Sequence, residues 1–301
     1  MVTVPNSIVA PALRLIHANR TFVTAEGARR RVRERALRPA PYGPPSRLRA
    51  EVRVDVTHEN WPVYTITPRR GNPRGSVVYL HGGGWVSEIV SQHWHLAAQI
   101  AAEANTTVML PIYPLVPFGT AAPVADMVVD LVQRSRGEHG PTCIAGDSAG
   151  GQIALSVALA LRDRHEVVLP QTLLISPALD LSWSNPRIPV VQPSDPWLAV
   201  PGGRVLAELW RGSSDILDPV VSPLMGDLSG LGPITLFSGT RDVLNPDAHL
   251  LADKAAAAGV DLDFYEGTGQ LHVYPLLPTA FGRAARARIV QSLRQGISAV
   301  V

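Results

Sequence analysis

A serine hydroxyl attacks a carbonyl only when a neighbouring base takes its proton and an acid holds that base in the right tautomer. Ser148, His272 and Asp242 are the candidates this chain offers for those three roles. Ser148 stands in Gly146-Asp147-Ser148-Ala149-Gly150, between an apolar run, Thr142-Cys143-Ile144-Ala145, and a helical pattern that begins Gln152-Ile153-Ala154-Leu155. A strand, a sharp turn and a helix form the context in which a Gly-x-Ser-x-Gly string exposes its serine. The turn strains the serine backbone, and side chains two positions to either side would clash, so Gly146 and Gly150 remove them. Taken alone, the pentapeptide reads equally well as a glycine-rich turn around a buried serine.

In this arrangement the acid and then the histidine follow the serine, each in a loop after a later strand. Asp242 lies in Ser238-Gly239-Thr240-Arg241-Asp242-Val243-Leu244, directly after an apolar run ending at Phe237. Its rival Asp247 follows Asn245-Pro246 and is explained as a first-turn residue of the next helix. His272 lies in Gly267-Thr268-Gly269-Gln270-Leu271-His272-Val273-Tyr274, just past a strand ending near Tyr265. Among the other histidines, His93 and His95 are two apart on a helix, point to different faces and make a poor metal pair. No Cys/His cluster suggests zinc, and neither a metal nor a cofactor is expected.

Attack by Ser148 creates an oxyanion that needs donors. His81-Gly82-Gly83-Gly84-Trp85 follows the buried run Ser76-Val77-Val78-Tyr79-Leu80, where a strand of this kind of sheet contributes an oxyanion N–H. The glycines Gly82, Gly83 and Gly84 let that loop bend so that its N–H groups, those of Gly83 and Gly84 above all, aim at one point with Ala149 N–H. The rival reading, a phosphate-binding loop, lacks the Gly-Lys-Ser/Thr that would complete it.

The elements that must position these loops follow from periodicity. Val52, Val54 and Val56, then Val63, Tyr64 and Ile66, predict two strands joined near Glu59-Asn60. Strands are then predicted at 76–80, 107–110, 142–145, 172–176, 234–237 and 262–265, alternating with helices at 94–103, 124–134, 149–163 and 247–258 and a last helix from about Leu276. The expected class is α/β: a mostly parallel central sheet with helices on both faces, ligands binding beyond the carboxyl ends of its strands. Two apolar, aromatic stretches break the alternation, about 1–45 and 181–217, and are read as a helical cap over the active end of a single domain spanning 1–301. The cap tryptophans Trp183, Trp197 and Trp210, with Trp85 beside the glycine loop, suggest an apolar substrate pocket.

Composition excludes several function classes. With 27 basic and 25 acidic residues, a formal charge of +2 is too balanced to argue for nucleic acid. The run Arg29-Arg30-Arg31-Val32-Arg33-Glu34-Arg35 reads as a solvated helix face rather than a membrane or polyanion patch. Cys143 is the single cysteine, excludes an intramolecular disulfide, and reads as a small buried hydrophobe. The start Met1-Val2-Thr3-Val4-Pro5-Asn6 has no signal-peptide pattern, and no apolar run reaches the roughly 18 residues of a membrane span, so a cytoplasmic location is expected. A homodimer through the last strand and helix is left open.

With His81-Gly82-Gly83-Gly84-Trp85, Gly146-Asp147-Ser148-Ala149-Gly150-Gly151, Asp242 and His272 in this order, the chain resembles the hormone-sensitive-lipase-like carboxylesterases of the α/β-hydrolase superfamily. Ser176-Pro177-Ala178-Leu179-Asp180-Leu181-Ser182 and Asp218-Pro219-Val220-Val221-Ser222-Pro223-Leu224 extend the likeness, which runs from about residue 50 onward. The resemblance implies Ser148 as nucleophile, Asp242 as acid, His272 as base, Gly83, Gly84 and Ala149 as oxyanion donors, and His81 and Asp147 as support for these loops. The chain departs from the family at Tyr113-Pro114-Leu115-Val116-Pro117-Phe118, where Tyr-Arg-Leu-Ala-Pro-Glu is usual. Hydrolysis of a small or medium acyl ester, a small-molecule partner, is the leading expectation. An amidase with the same triad and a ligand receptor on the same scaffold remain open beside it.

Overall fold

The computed structural model describes residues 3–58 and 60–299; Met1, Val2, Glu59, Val300 and Val301 lie outside the described residues, and with Glu59 part of the connection expected there. The N-terminal segment supplies α1 (Asn6–Leu15) and α2 (Ala25–Leu37). Thr24 caps α2 by accepting Gly27 N–H at 3.0 Å. Strands β1 (Val52–His58) and β2 (Pro62–Pro68) pair antiparallel, as the alternation of their valines predicts. Then come β3 (Ser76–Leu80), α3 (Ser91–Ala104), β4 (Thr107–Pro111), α4 (Ala121–His139), β5 (Thr142–Asp147), α5 (Ala149–His165) and β6 (Thr172–Ile175). The insertion holds α6 (Ile188–Val191) and α7 (Val200–Arg211), after which β7 (Ile234–Gly239), α8 (Asn245–Ala257), β8 (Leu262–Gly267) and α9 (Ala280–Ser298) complete the alternation.

Among the described residues these strands form one eight-stranded sheet in the order β1-β2-β4-β3-β5-β6-β7-β8. It is parallel from β4 to β8, and β2 joins β4 antiparallel. The central strands read as unbroken apolar runs because both of their faces are covered. In β3, Val78 and Leu80 face the apolar cluster that includes Val128, Val132 and Ala154, while Val77 and Tyr79 face the cluster that includes Ile100, Ile289 and Leu293. Burial of these rows, at about 25 cal/mol per Å² of apolar surface, holds the strand ends in register where the loops emerge. Cys143 is wholly buried and burial pushes its thiol pKa up, in keeping with a packing role.

One difference from expectation has a local cause. The last helix starts at Ala280 rather than near Leu276, because Leu277 precedes a proline and takes an extended backbone; Thr279 then caps α9 by accepting Gly282 N–H. In the N-terminal segment, α2 packs on α7 and the backbone of Gly202 donates to Phe22 O at 2.8 Å, so these two stretches meet. Helix α1 instead lays Ala10 against the cluster on the α3 and α9 side of the sheet. Among the described residues, no helix is long and apolar enough to cross a membrane.

Candidate active site

Three loops at the carboxyl ends of β3, β5 and β7, with a fourth after β8, converge on Ser148. The serine sits between β5 and α5 with φ 52° and ψ −117°, a strained conformation held by its own N–H on Ile175 O at 2.8 Å. A Cβ at Gly146 would lie 2.2 Å from Gly150 O, and one at Gly150 would lie 2.0 Å from Leu80 O. Both glycines are therefore required by close backbone approach.

His272 Nε2 lies 3.0 Å from Ser148 Oγ, and His272 Nδ1 lies 2.8 Å from Asp242 Oδ2. Asp242 is completely buried, and its Oδ1 accepts Leu244 N–H at 3.0 Å. A carboxylate facing Nδ1 puts the imidazole proton there and leaves Nε2 free to accept. Burial pulls the His272 pKa down, but Asp242, with Asp195 and Asp147 behind it, outweighs burial and raises the pKa above the ordinary histidine value. The next residue, Val273, is held at φ 46° by its N–H bond to Ser176 Oγ, which fixes the His272 loop against the end of β6.

The glycine loop opens with Gly83 and Gly84 at φ 130° and 61°. Gly83 O accepts the N–H groups of Val86 and Ser87, closing the turn. The N–H groups of Gly83, Gly84 and Ala149 have no acceptor among the described residues. Gly82 must be withdrawn from the donor set, because its N–H is spent on Asp147 Oδ1 at 3.0 Å. Its place is structural: a Cβ at Gly82 would come 2.2 Å from Asp147 Oδ2.

Asp147 is the anchor of this loop. It also accepts Tyr79 Oη–H at 2.7 Å and His93 Nε2–H at 3.2 Å, while His93 Nδ1 takes the N–H of Val90. Burial alone would raise the Asp147 pKa, yet His93 and Tyr79 reverse that and hold it below the usual carboxylate range. His81 is buried, stacks on Tyr113 at 4.5 Å and directs Nδ1 to Gly82 O; burial and the neighbouring His93 pull its pKa down to about 4, so the ring is neutral. Replacing Asp147 by asparagine turns an amide N–H₂ toward donors that need an acceptor. The expected loss is about 2–3 kcal/mol of folding stability, read by urea denaturation; a loss below about 0.5 kcal/mol would show that the network bears little of the fold.

A cavity of about 570 Å³ opens over Ser148, lined by Gly83, Phe22, Trp197, Leu198 and Leu276 and rimmed by Arg20 and Arg31. Of the four tryptophans expected at a pocket, Trp197 alone lines it, standing edge-on to the His272 ring at 6.0 Å. Trp85 and Trp210 stack on each other and both donate to Gln152 Oε1, at 3.1 and 2.8 Å. Trp183 packs on Gly203, where a Cβ would lie 2.3 Å from the indole. These three satisfy core packing, which large aromatics do more often than they line sites. Asp247 lies in the first turn of α8 as expected, but it is buried and accepts Asn185 Nδ2–H at 2.7 Å, and burial pushes its pKa up to about 6. His93, Gln152 and Asp195 are the residues near the site that spacing does not single out. The partners that tie them to the site are far away in the chain, Asp147 for His93, Trp85 and Trp210 for Gln152 and Val243 for Asp195, and Ser194-Asp195-Pro196 reads locally as a turn.

A family model described as the alpha/beta hydrolase fold matches residues 77–276. A triacylglycerol lipase of Mycobacterium tuberculosis is 32% identical over 81% of this chain and 51% of its own length, so the chain spans about half of that relative. An acetyl-hydrolase of Streptomyces hygroscopicus is 30% identical over 71% of this chain and 73% of its own. The crystal structure of an esterase from the bacterial hormone-sensitive lipase family superimposes with a TM-score of 0.82 at 27% identity, covering 99% of this chain and 100% of that one. This chain belongs to the hormone-sensitive-lipase-like α/β-hydrolases. A hormone-sensitive lipase from a metagenome library, 22% identical with a TM-score of 0.83 over 99% of the hydrolase and 100% of that chain, shares the fold. The hydrolase thus carries its serine, histidine and aspartate at the strand ends where this fold collects reacting groups.

Proposed function

We propose that this hydrolase is a serine carboxylesterase acting on small to medium acyl esters through an acyl-enzyme on Ser148. The observation that carries the reading is the hydrogen-bonded chain from Ser148 Oγ through His272 to Asp242, opening into a cavity beside unspent N–H groups. Ser148 Oγ attacks the ester carbonyl as His272 Nε2 takes its proton, and the carbonyl oxygen becomes an oxyanion within reach of the Gly83, Gly84 and Ala149 N–H groups. Such a donor is typically worth about 3 kcal/mol in the transition state. His272 then gives its proton to the leaving alkoxide, which departs as the alcohol. Water, activated by the same nitrogen, hydrolyses the acyl ester and returns Ser148. Asp242 stabilises the imidazolium in both halves without taking its proton.

The esterase, lipase and acetyl-hydrolase names among the relatives favour an ester as the bond cleaved. A fluorophosphonate is expected to inactivate the protein and to add its mass to the peptide carrying Ser148, read by mass spectrometry. Nitrophenyl esters from acetate to laurate are expected to be hydrolysed fastest at short and medium acyl length, since apolar walls of Phe22, Trp197 and Leu276 enclose a finite cavity. A folded sample that neither labels nor hydrolyses any ester of the series would refute the reading and favour a binding scaffold. Faster turnover of a matched acetyl amide than of the acetyl ester would move the assignment to an amidase.

A further inference from the structure

The stretch 192–198, between α6 and α7, belongs to the insertion, yet it is tied to the loop that carries Asp242. Asp195 is buried, and its Oδ1 accepts the N–H groups of Trp197 at 2.7 Å and Leu198 at 3.0 Å. Its other oxygen, Oδ2, reaches out of the insertion and accepts Val243 N–H at 2.9 Å, on the residue next to Asp242. In a second tie the side chain comes from the other segment: the Arg241 guanidinium donates to Ser194 O at 3.2 Å. The turn that Asp195 closes presents Trp197 to the His272 ring.

A buried carboxylate is a costly way to close a turn, since a serine hydroxyl accepts the same N–H groups without a charge to desolvate. What a hydroxyl does not supply is the second oxygen that spans to Val243 and the negative charge. We propose that Asp195 is a positioning residue for the reaction: it holds the Asp242 loop on one side and Trp197 against the base on the other, and sets a second negative charge near the imidazole as that ring gains its proton. This rests on the reading of Ser148, His272 and Asp242 given above.

The charged groups that act on His272 are Asp242 from the β7 loop, Asp195 from the insertion and Asp147 from the end of β5. Those that act on Asp195 are Asp242 and His272. Burial, and then Asp242, push the Asp195 carboxyl up to about 6, against the pull of His272 and of the Val243 and Leu198 N–H groups. It is therefore ionised at the neutral to alkaline pH at which His272 must accept a proton. Removing a charge that favours the imidazolium lowers the His272 pKa, so the acid limb of the rate profile moves to lower pH.

The test uses Asp195→Asn and Asp195→Ser in the full chain with p-nitrophenyl butyrate, each first checked for a cooperative thermal melt. Asparagine removes the charge and turns an N–H₂ toward one of the N–H donors. Serine keeps an acceptor for the turn and loses both the charge and the reach to Val243, so a folding failure of the first leaves the second readable. In both, kcat is expected to fall about 10-fold with KM within about threefold, and the acid limb of kcat/KM to move about half a pH unit lower. Arg241→Gln breaks the other tie and keeps the Asp195 charge, so its acid limb is expected to stay with the wild type. A folded Asp195 variant whose acid limb does not move, or whose kcat stays within about twofold, overturns the proposal. His272→Asn separates the two levels: if it is inactive while the Asp195 variants match the wild type, the triad reading stands and this one falls, and if it is active the triad reading itself fails.

Discussion

Replacement of Ser148 by alanine is expected to lower kcat on p-nitrophenyl butyrate by at least about 10⁴-fold, with KM within a few-fold. The change removes one oxygen atom and little else. The Ser148 N–H bond to Ile175 O is a backbone interaction and survives, and the glycines that let the turn close are untouched. Alanine bears the same positive φ at a cost close to that of serine, because the strain lies in Cβ and not in the hydroxyl. The thermal midpoint is therefore expected to stay within a few degrees of the wild type. Binding should persist, since the cavity walls are supplied by Phe22, Trp197, Leu198 and Leu276. The unspent N–H groups of Gly83, Gly84 and Ala149 remain as well, and they account for whatever rate is left above that of water. The measurement is steady-state kinetics on variant protein made without exposure to the wild-type enzyme. Retention of more than about one part in a hundred of the activity would contradict the 10⁴-fold expectation and dismiss Ser148 as nucleophile.

What the sequence discloses about this site is what local constraints write into it. The turn at Ser148 needs glycine at 146 and 150 because backbone atoms of Gly150 and Leu80 approach within about the width of one atom, and that need is visible as a spacing. Asp242 and His272 are visible because parallel strands deliver their loops to one edge of the sheet, and each of the two follows a strand that periodicity predicts. Other parts depend on partners that no local pattern announces. The N–H of Gly82 looks like a fourth oxyanion donor until Asp147 is seen to take it, and Asp147 in turn draws on Tyr79 and on His93. Trp85 and Trp210 look like a pocket lining by type. Gln152, on the first turn of α5, accepts both indole N–H groups and makes them a clasp between the insertion and the sheet. Asp195 is hidden for the same reason, because one of its oxygens serves a local turn and the other serves a loop 48 residues away.

Asp242→Asn tests the most demanding feature of the arrangement, which is the direction of a single proton. Asp242 Oδ1 accepts the N–H of Leu244 and Oδ2 faces His272 Nδ1. An asparagine fits the same volume, and the buried Leu244 N–H claims its one oxygen because the alternative sets two donors against each other. The amide N–H₂ is then left facing Nδ1. That nitrogen must become the acceptor, so the imidazole proton moves to Nε2, where it points at Ser148 Oγ and the ring no longer serves as base. The imidazolium of the transition state loses its main electrostatic partner as well, since Asp242 is the principal influence opposing burial at His272. The expected fall in kcat is about 10⁴-fold, with the acid limb of what remains moved to lower pH. Fold and binding should be preserved, as shown by a melt close to the wild type and a KM within a few-fold. Nitrogen chemical shifts of His272 would report the tautomer directly: a proton on Nε2 in the variant and on Nδ1 in the wild type at neutral pH. A variant with the wild-type tautomer and the full loss of rate would place the role of Asp242 in the charge alone. A variant within about tenfold of wild-type kcat would show that His272 needs no acid behind it, and the triad reading would have to give way.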